Sequence, residues 1–275
     1  MIETTQFLQL LFGFLLAVVV AMLAYRVHSL SISGALSAAL IGTVIFGMGG
    51  WEWAAILLTF FISSSLLTRL FGKRKSSLNE KFDKGGQRDA GQVLANGGIA
   101  ALFAALHFFL PSASWPWLAF SASLAAVNAD TWATELGVLN PTPPRMITTG
   151  QPVEKGTSGG ISMGGSLAAL GGAGLVAFCA QVVHPASGFV LIFIFTTLAG
   201  LLGAMFDSFL GATFQAIYTC PQCHKETERH PLHTCGATTI RLRGLSWLNN
   251  DLVNVGCALV GALLGLGSGF LWFFG

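Results

Sequence analysis

The sequence contains very little charge. Of its 275 residues only 9% are Asp, Glu, Lys or Arg, whereas 53% are hydrophobic. A soluble domain carries about 25% charged residues, so this composition excludes an ordinary soluble protein. The formal net charge of +2 is also too small to indicate nucleic acid as a partner. The composition therefore predicts an all-α polytopic membrane protein, built as a bundle of transmembrane helices.

The sequence also lacks a signal-peptide start and an evident disulfide framework. The N-terminal residues M-I-E-T-T-Q contain no basic n-region, so the first apolar segment is expected to be retained as a span. Of the five cysteines, three fall in one polar loop, which is not the pattern of a disulfide framework. Cys179 and Cys257 lie within apolar segments and are interpreted as packing residues.

Long apolar runs and glycine are what the sequence has in abundance. A membrane span requires about 20 mostly apolar residues, and 34 glycines favour close packing between such spans. We expect one integral membrane domain over residues 1–275, with a cytoplasmic loop at 218–245. The eight predicted spans cover residues 6–24, 29–48, 52–70, 90–110, 116–138, 159–182, 188–217 and 246–273.

The positions of the basic residues support this count of spans. All 14 Lys and Arg residues fall in or beside four connections, and these are alternate connections along the chain. They are Arg26, then Arg69, Lys73, Arg74, Lys75, Lys81, Lys84 and Arg88, then Arg145 and Lys155, then Lys225, Arg229, Arg241 and Arg243. The positive-inside rule places these connections in the cytoplasm, and we expect the protein in the plasma membrane.

Four acidic residues lie near the predicted cytoplasmic ends of the spans. Asp130 and Glu135 belong to the motif N-A-D-T-W-A-T-E-L-G, and Asp207 and Asp251 lie in the last two spans. Each ionised acid costs roughly 2.5–3.5 kcal/mol at mid-bilayer, so the four must meet water or hold a cation. We predict that they form one catalytic site; separate solvated helix-end residues are the alternative.

Other polar residues, one of them an arginine, accompany these acids at helical spacing. Arg88, Gln92 and Asn96 are each four residues apart, and Asn128 shares a helix face with Glu135. Such side chains can orient phosphate groups or water. The residues of this kind expected at the site are Arg88, Gln92, Asn96, Asn128, Asn250 and Asn254.

A Gly/Ser/Thr-rich segment, G-T-S-G-G-I-S-M-G-G, leads directly into the sixth predicted span. A turn of this kind at the start of a helix offers free N–H groups to phosphate, and Arg145, Lys155, Thr157 and Ser158 add further donors. The segment does not match a Walker A loop, and a flexible connector is the alternative. Carboxylates, cations and a Gly-rich turn are the parts that Mg²⁺-dependent phosphoryl transfer requires.

The polar loop between the last two spans contains a possible metal site. Cys220 and Cys223 form a C-x₂-C pair, which His233 and Cys235 can complete as a Cys₃His set. This set is a common arrangement for structural zinc, and His224 and His230 are competing ligands. Thiols without metal and a catalytic metal are the alternatives.

Together these motifs resemble the domain-of-unknown-function family 92 of polytopic membrane proteins, which includes the plant phytyl-phosphate kinase of tocopherol synthesis. The resemblance rests on R-D-A-G-Q-V-L-A-N-G, N-A-D-T-W-A-T-E-L-G, K-G-T-S-G-G-I-S, D-S-F-L-G-A-T-F-Q and L-N-N-D-L-V-N. It implies a kinase that converts an isoprenyl monophosphate to the diphosphate with a nucleoside triphosphate. An ion-coupled transporter and a non-catalytic assembly protein are the alternative functions.

Overall fold

A computed structural model of the protein describes residues 4–71, 81, 84–185 and 188–274, with side chains up to residue 267. Within these residues the fold is a bundle of eight α-helices with five short strands. The helices are α1 (Thr4–Arg26), α2 (Ile32–Val44), α3 (Trp51–Phe71), α4 (Ala90–Phe109), α5 (Trp115–Gly137), α6 (Met163–Val183), α7 (Phe189–Thr213) and α8 (Asn250–Phe274). α2 continues into a π-helical turn at Ile45–Gly49. Each of the eight predicted spans corresponds to one helix.

α5 differs from the other seven helices in its surroundings. Those seven are long and apolar enough to span a membrane, and α5 falls short of that level of apolarity. α5 packs against α3, α4, α6, α7 and α8, and every residue from Pro116 to Ala129 other than Leu118 is buried. Because α5 contacts protein rather than lipid, it needs fewer large apolar side chains. The fifth predicted span is therefore the central helix of the bundle.

Glycines at two crossings let α7 and α8 approach α5. A Cβ atom on Gly200 would lie 2.9 Å from the backbone carbon of Ala125, and one on Gly261 would lie 2.7 Å from the Ala122 carbonyl oxygen. A larger residue at either position would force the helices apart. Close packing through small residues is how membrane helices gain dispersion energy, and here it holds the central helix.

The four connections that carry the basic residues lie together at one end of the bundle, called here the basic end. Arg69 Nη2 donates to the Val27 carbonyl oxygen, Lys81 pairs with Glu154 at 2.7 Å, and the Glu228 amide donates to the Lys81 carbonyl oxygen. These contacts join the connections that follow α1, α3, α5 and α7. The connections that follow α2, α4 and α6 lie at the opposite end of the bundle, called here the far end. The structure therefore confirms the predicted alternation, although Lys73, Arg74 and Lys75 lie outside the described residues.

Three predicted spans extend beyond their helices at the basic end, and short strands lie beside two of these boundaries. β1 (Arg145–Met146) pairs with β2 (Gly160–Ile161), so α6 begins later than the predicted residue 159. β3 (Ile217–Thr219) pairs with β4 (Glu226–Thr227) and β5 (Ile240–Arg243), so the span predicted at 188–217 is too long. α8 likewise begins at Asn250 rather than at 246. Ala216 and Ile217, at the end of the seventh predicted span, are buried against protein, which hydropathy does not distinguish from lipid.

Side-chain caps fix the starts of three helices at the basic end. Asp89 and Gln92 form a capping box at α4, in which Asp89 Oδ1 accepts from the Gln92 amide and Gln92 Oε1 accepts from the Asp89 amide. Ser31 and Ser162 accept from the amides of Gly34 and Gly165 at α2 and α6. Each cap satisfies an amide that has no partner within the helix, so the helix starts around the site are well defined.

Candidate functional site

A polar cavity of about 640 Å³ lies at the basic end, between α4, α5, α6, α7, α8 and the loop before α6. Asp130 and Glu135 of α5, Asp207 of α7 and Asp251 of α8 all line it. The four acids that the sequence singled out therefore converge on one cavity. The four acids therefore do not lie in four separate environments.

The cavity wraps around the end of α5. Asp130 and Glu135 are about 140° apart on an ideal helix, and α5 remains helical through both residues. Glu135 is buried and accepts a hydrogen bond from Thr68 Oγ1 of α3 at 2.9 Å, whereas Asp130 interacts electrostatically with Asp207 of α7. Neighbouring helices on both sides of α5 thus allow both acids to line the same cavity.

Lys84 connects two carboxylates at the cavity wall. Its Nζ donates to Asp251 Oδ2 at 2.5 Å and to Asp89 Oδ1 at 3.0 Å. Burial lowers the pKa of Lys84, but the two carboxylates outweigh burial and leave the pKa raised. Lys84 is not among the predicted site residues, although its position just before the R-D-A-G motif is a signal that could have indicated it.

Arg88 occupies a less hydrated position between α3 and α4. Its Cζ lies 5.4 Å from the ring centroid of Phe60 and 5.9 Å from that of Phe61. Burial lowers the pKa of Arg88 to about 10, and the Glu135 carboxylate opposes this effect. The guanidinium therefore remains charged at neutral pH, and it lines the polar cavity together with Gln92 and Asn96.

The Gly-rich segment before α6 forms one wall of the cavity. Lys155, Thr157 and Ser158 line it, and Ser158 Oγ donates to Gln215 Oε1 at 2.6 Å. Gly159 has a φ of +85°, and a Cβ atom there would lie 2.5 Å from the Ala212 nitrogen. Only glycine fits this turn. The segment is therefore a packed wall and not a flexible connector.

Two predicted site residues do not line the cavity. Asn128 is fully buried among helices, where Nδ2 donates to the Gly172 carbonyl oxygen at 2.8 Å and Oδ1 accepts from Ser63 Oγ at 3.0 Å. Arg145 is exposed on β1, where Nη1 donates to the Gly150 carbonyl oxygen at 2.9 Å. Asn128 thus joins α5 to α6 and α3, and Arg145 stabilises a turn. By contrast, Asn250 and Asn254 of α8 line the cavity as expected.

The buried oxygens of two acids indicate room for a cation. Among the described residues, none donates a hydrogen bond to Asp207 Oδ2 or to Asp251 Oδ1, and both atoms are buried. A buried carboxylate oxygen without a partner is costly. A cation bound beside either acid would satisfy that oxygen.

The four predicted ligands of the cysteine loop come together. One ligand atom from each of Cys220, Cys223, His233 and Cys235 lies within 4.8 Å of all the others. The Cys220 and Cys235 sulfurs are 3.5 Å apart, and His233 Nδ1 is 3.2 Å from the Cys235 sulfur. His230, a competing ligand, instead stacks on Tyr218 with ring centroids 4.4 Å apart. We call this set of four the cysteine cluster.

The loop that carries the cysteine cluster also reaches the cavity. Glu228 Oε1 accepts from Gln215 Nε2 at 2.8 Å, and Glu228, Tyr218 and His230 line the cavity. The sequence contained no signal for this role, because the loop folds back over α7 through the three-stranded sheet. The cluster and the cavity are therefore parts of one structure at the basic end.

The far end holds a second, smaller group of polar side chains. Glu52 Oε2 lies 2.7 Å from His184 Nδ1, and His107 stacks on Trp53 at 4.9 Å between ring centroids. Trp117 in turn lies 5.0 Å from His184. Glu52 and His107 thus each contact another side chain at the far end.

The fold and the cavity define a polytopic α-helical membrane protein with a large polar site at one end. Comparison with known proteins shows its family. The chain belongs to the family described as integral membrane protein DUF92, whose model matches residues 15–262.

Relatives of the chain occur in plants and archaea. Protein PGR of Arabidopsis thaliana is 34% identical over 92% of this chain and 93% of its own length. An uncharacterized membrane protein of Methanocaldococcus jannaschii is 30% identical over 94% of each chain. Protein VTE6, chloroplastic, of Arabidopsis thaliana is 25% identical over 83% of this chain and 62% of its own length. No solved structure matches the chain.

Proposed function

We propose that the protein is a membrane kinase that converts an isoprenyl (phytyl or prenyl) monophosphate to the diphosphate with a nucleoside triphosphate and Mg²⁺. One observation carries this proposal. A single cavity at the basic end brings together the four acids, three cations and a Gly-rich turn at a helix start. Phosphoryl transfer depends mainly on positioning and charge neutralisation, and these groups supply both.

Asp207 and Asp251 fit a magnesium ion best. Mg²⁺ is usually held by one or two carboxylates together with phosphate oxygens and water, and each of these acids has a buried oxygen without a hydrogen bond from the described residues. When bound, the ion would neutralise phosphate charge that develops during transfer. Asp130 and Glu135 contribute further negative charge to the same cavity.

The two phosphate substrates would bind to different walls of the one cavity, so that an acceptor phosphate oxygen attacks the terminal phosphorus of the nucleotide and the nucleoside diphosphate leaves. Lys155, Thr157, Ser158 and the start of α6 suit the phosphates of the nucleotide, because backbone amides and a helix N-terminus bind anions. Arg88, with Gln92 and Asn96, suits the acceptor phosphate, and Asn250 and Asn254 would orient either group. The acceptor phosphate is already anionic, so its attack requires no general base.

The test is a radiolabelled nucleoside triphosphate given to the purified protein with a panel of prenyl monophosphates. We expect Mg²⁺-dependent formation of a prenyl diphosphate, which Asp130→Asn abolishes. Glu154→Gln removes an exposed acid at the same end that does not line the cavity, and should retain turnover. Unchanged turnover in Asp130→Asn would remove Asp130 from the site. The transporter and the assembly protein both predict no diphosphate product.

We also propose that the cysteine cluster binds a structural zinc ion. Three sulfurs and one imidazole within 4.8 Å fit a Cys₃His tetrahedral site. We expect about one zinc per chain by elemental mass spectrometry, lost in Cys223→Ser and retained in Cys179→Ser, whose sulfur lies in α6. Equal zinc content in both variants would contradict this site.

We further propose that the basic end faces the cytoplasm of the plasma membrane, following the positive-inside rule. A cysteine introduced at Thr148, which is exposed before β2, provides a test. It should resist a membrane-impermeant thiol reagent in intact cells and react in inverted vesicles. Labelling of this cysteine in intact cells would show that the basic end faces the outside of the cell.

A further inference from the structure

A second cavity lies among α1, α2, α3 and α4, and its lining is almost wholly apolar. Its volume is about 90 Å³. The space exists because small residues line it, among them Ala21 of α1, Ala38 of α2 and Ala54 of α3. The rings of Phe46 and Phe60 close it. We call this space the apolar groove.

The apolar groove adjoins the polar cavity. Arg88, Gln92 and Asn96 line both spaces, and they are the polar residues of the groove. Arg88 is also the residue whose guanidinium lies beside Phe60 and Phe61, which line the groove. A ligand that spans the two spaces must therefore have an anionic end at Arg88 and an apolar chain on the other side.

The dimensions of the groove suit a single chain. Along α1 its lining runs from Ala24 to Leu16, eight helical steps that span about 12 Å at the α-helical rise. An apolar cavity of about 150 Å³ accepts one benzene molecule, so a groove of about 90 Å³ holds a short part of one chain and has no room for two. Leu16 is 43% exposed, so the groove reaches the lipid-facing surface of α1.

We propose that the apolar groove binds the first isoprene units of a prenyl monophosphate, with the phosphate at Arg88 and the rest of the chain in lipid. This assignment rests on the proposed function for the identity of the ligand. The size of the groove selects a ligand with one apolar chain. The polar cavity selects a terminal phosphate, which can approach the carboxylates and Lys84. A phospholipid has two chains and a glycerol backbone, which this geometry does not accommodate.

Photo-crosslinking tests where the chain binds. A geranylgeranyl phosphate analogue with a diazirine near its phosphate end would be irradiated with the full-length protein in lipid nanodiscs, and labelled peptides identified by mass spectrometry. We expect adducts on groove residues of α1 and α3, such as Val20, Leu57 and Phe61, and their loss when unlabelled geranylgeranyl phosphate is added. Adducts confined to α6 or α7 would overturn the proposal. Equal labelling by a diazirine phosphatidic acid, without competition by the prenyl phosphate, would also overturn it.

A matched pair of substitutions tests the groove through kinetics. Ala38→Phe fills the middle of the groove, whereas Ala39→Phe adds the same ring at the next residue of α2, which does not line it. For geranylgeranyl phosphate we expect Ala38→Phe to raise KM about tenfold, because several buried methylenes lose their contacts. The KM for dimethylallyl phosphate should change less than about twofold, as should both KM values in Ala39→Phe. Equal effects on both substrates, or equal effects of both substitutions, would overturn the proposal.

The two readouts separate this proposal from the kinase itself. Competed crosslinks in the groove without diphosphate formation would support the groove as a prenyl-phosphate site and contradict the kinase. Diphosphate formation with crosslinks elsewhere would contradict the groove and leave the kinase standing.

Discussion

The two ends of the bundle contain similar side chains in different arrangements. The far end pairs Glu52 with His184 and stacks its aromatic rings against one another. The basic end places five acids and three Lys or Arg residues around a cavity of about 640 Å³, counted over the described residues that line it. At the far end Glu52 and His184 pair with each other. At the basic end the acids that line the cavity outnumber its Lys and Arg residues by two, which suits a divalent cation.

This difference shows what makes a site at the end of a helix bundle. A polar residue near the membrane surface can be stabilised by one partner, as Glu52 is. A binding site requires polar groups that outnumber their partners and a cavity in which a ligand supplies the remaining contacts. The apolar layer of α5 between the two ends, which includes Phe120 and Leu124, is fully buried and separates them.

The sharpest test of the comparison substitutes one acid at each end. Asp207→Asn at the basic end should lower prenyl-phosphate kinase activity by at least about 100-fold, since it removes charge stabilisation in a dehydrated site. Glu52→Gln at the far end should leave kcat/KM within about twofold, because it lies outside the cavity. Steady-state kinetics on both variants check this. Equal loss of activity would mean that the far end takes part in catalysis.

A second test concerns how the wall of the cavity is held. Gly159→Ala should destabilise the protein by about 3 kcal/mol, because the alanine would have to adopt a positive φ and its Cβ atom would clash with Ala212. Gly150→Ala is a matched control at φ +68°, where a Cβ atom meets nothing within 4 Å, and should cost about 1 kcal/mol. Denaturant unfolding in detergent measures both. Equal costs would show that the packing of this wall is unimportant.

The cap of α4 gives a smaller, pH-dependent effect. Burial raises the pKa of Asp89, but hydrogen bonds from the Gln92 amide and from Lys84 outweigh burial and leave the pKa lowered. The stabilisation is therefore present above the pKa of the unfolded state, about 3.9, and is lost as the pH falls through the lower folded value. Asp89→Ala should cost about 1 kcal/mol at pH 7.

Thermal unfolding of wild type and Asp89→Ala between pH 7 and pH 3 checks this expectation. The difference in melting temperature should be largest at neutral pH and shrink under acid. A difference that does not vary with pH would mean that the Asp89 charge does not contribute.

The smallest effect is expected from the ion pair at the far end. His184→Gln removes the partner of Glu52, and both side chains are partly exposed, at 52% and 31%. Such a pair contributes about 0–1 kcal/mol to the free energy of unfolding. The melting temperature should therefore change by a few degrees at most, and by less in high salt. A large loss of stability would show that the far end, like the basic end, depends on its charges.

The sequence predicted the helices and the convergence of the acids for identifiable reasons. Asp207 and Asp251 lie on helix faces that continue as small residues, such as Gly200 and Gly261, and such faces pack toward the bundle interior. The basic residues of alternate connections predicted a common end. Both arguments depend only on local periodicity and on chain order.

Other features depend on contacts that local periodicity does not contain. Lys84 meets Asp251 across 167 residues of sequence, and Glu228 reaches the cavity only because a small sheet folds the cysteine loop over α7. Asn128 lies on the same helix as Asp130, but its side faces α6 and α3. Periodicity shows on which face of a helix a residue lies. It does not show whether the neighbouring helix at that face leaves space for a cavity.

The enclosed position of α5 has a consequence for biogenesis. During synthesis α5 emerges before α6, α7 and α8, which supply most of its contacts in the finished protein. α5 is less stable in lipid alone than when it packs against its neighbouring helices. It therefore becomes stably inserted in the bilayer only after the C-terminal half of the chain has been made. A nascent polypeptide released just after Gly137 should therefore be a preferred substrate for membrane quality-control proteases, whereas one released after Arg26 should insert as a simple anchor.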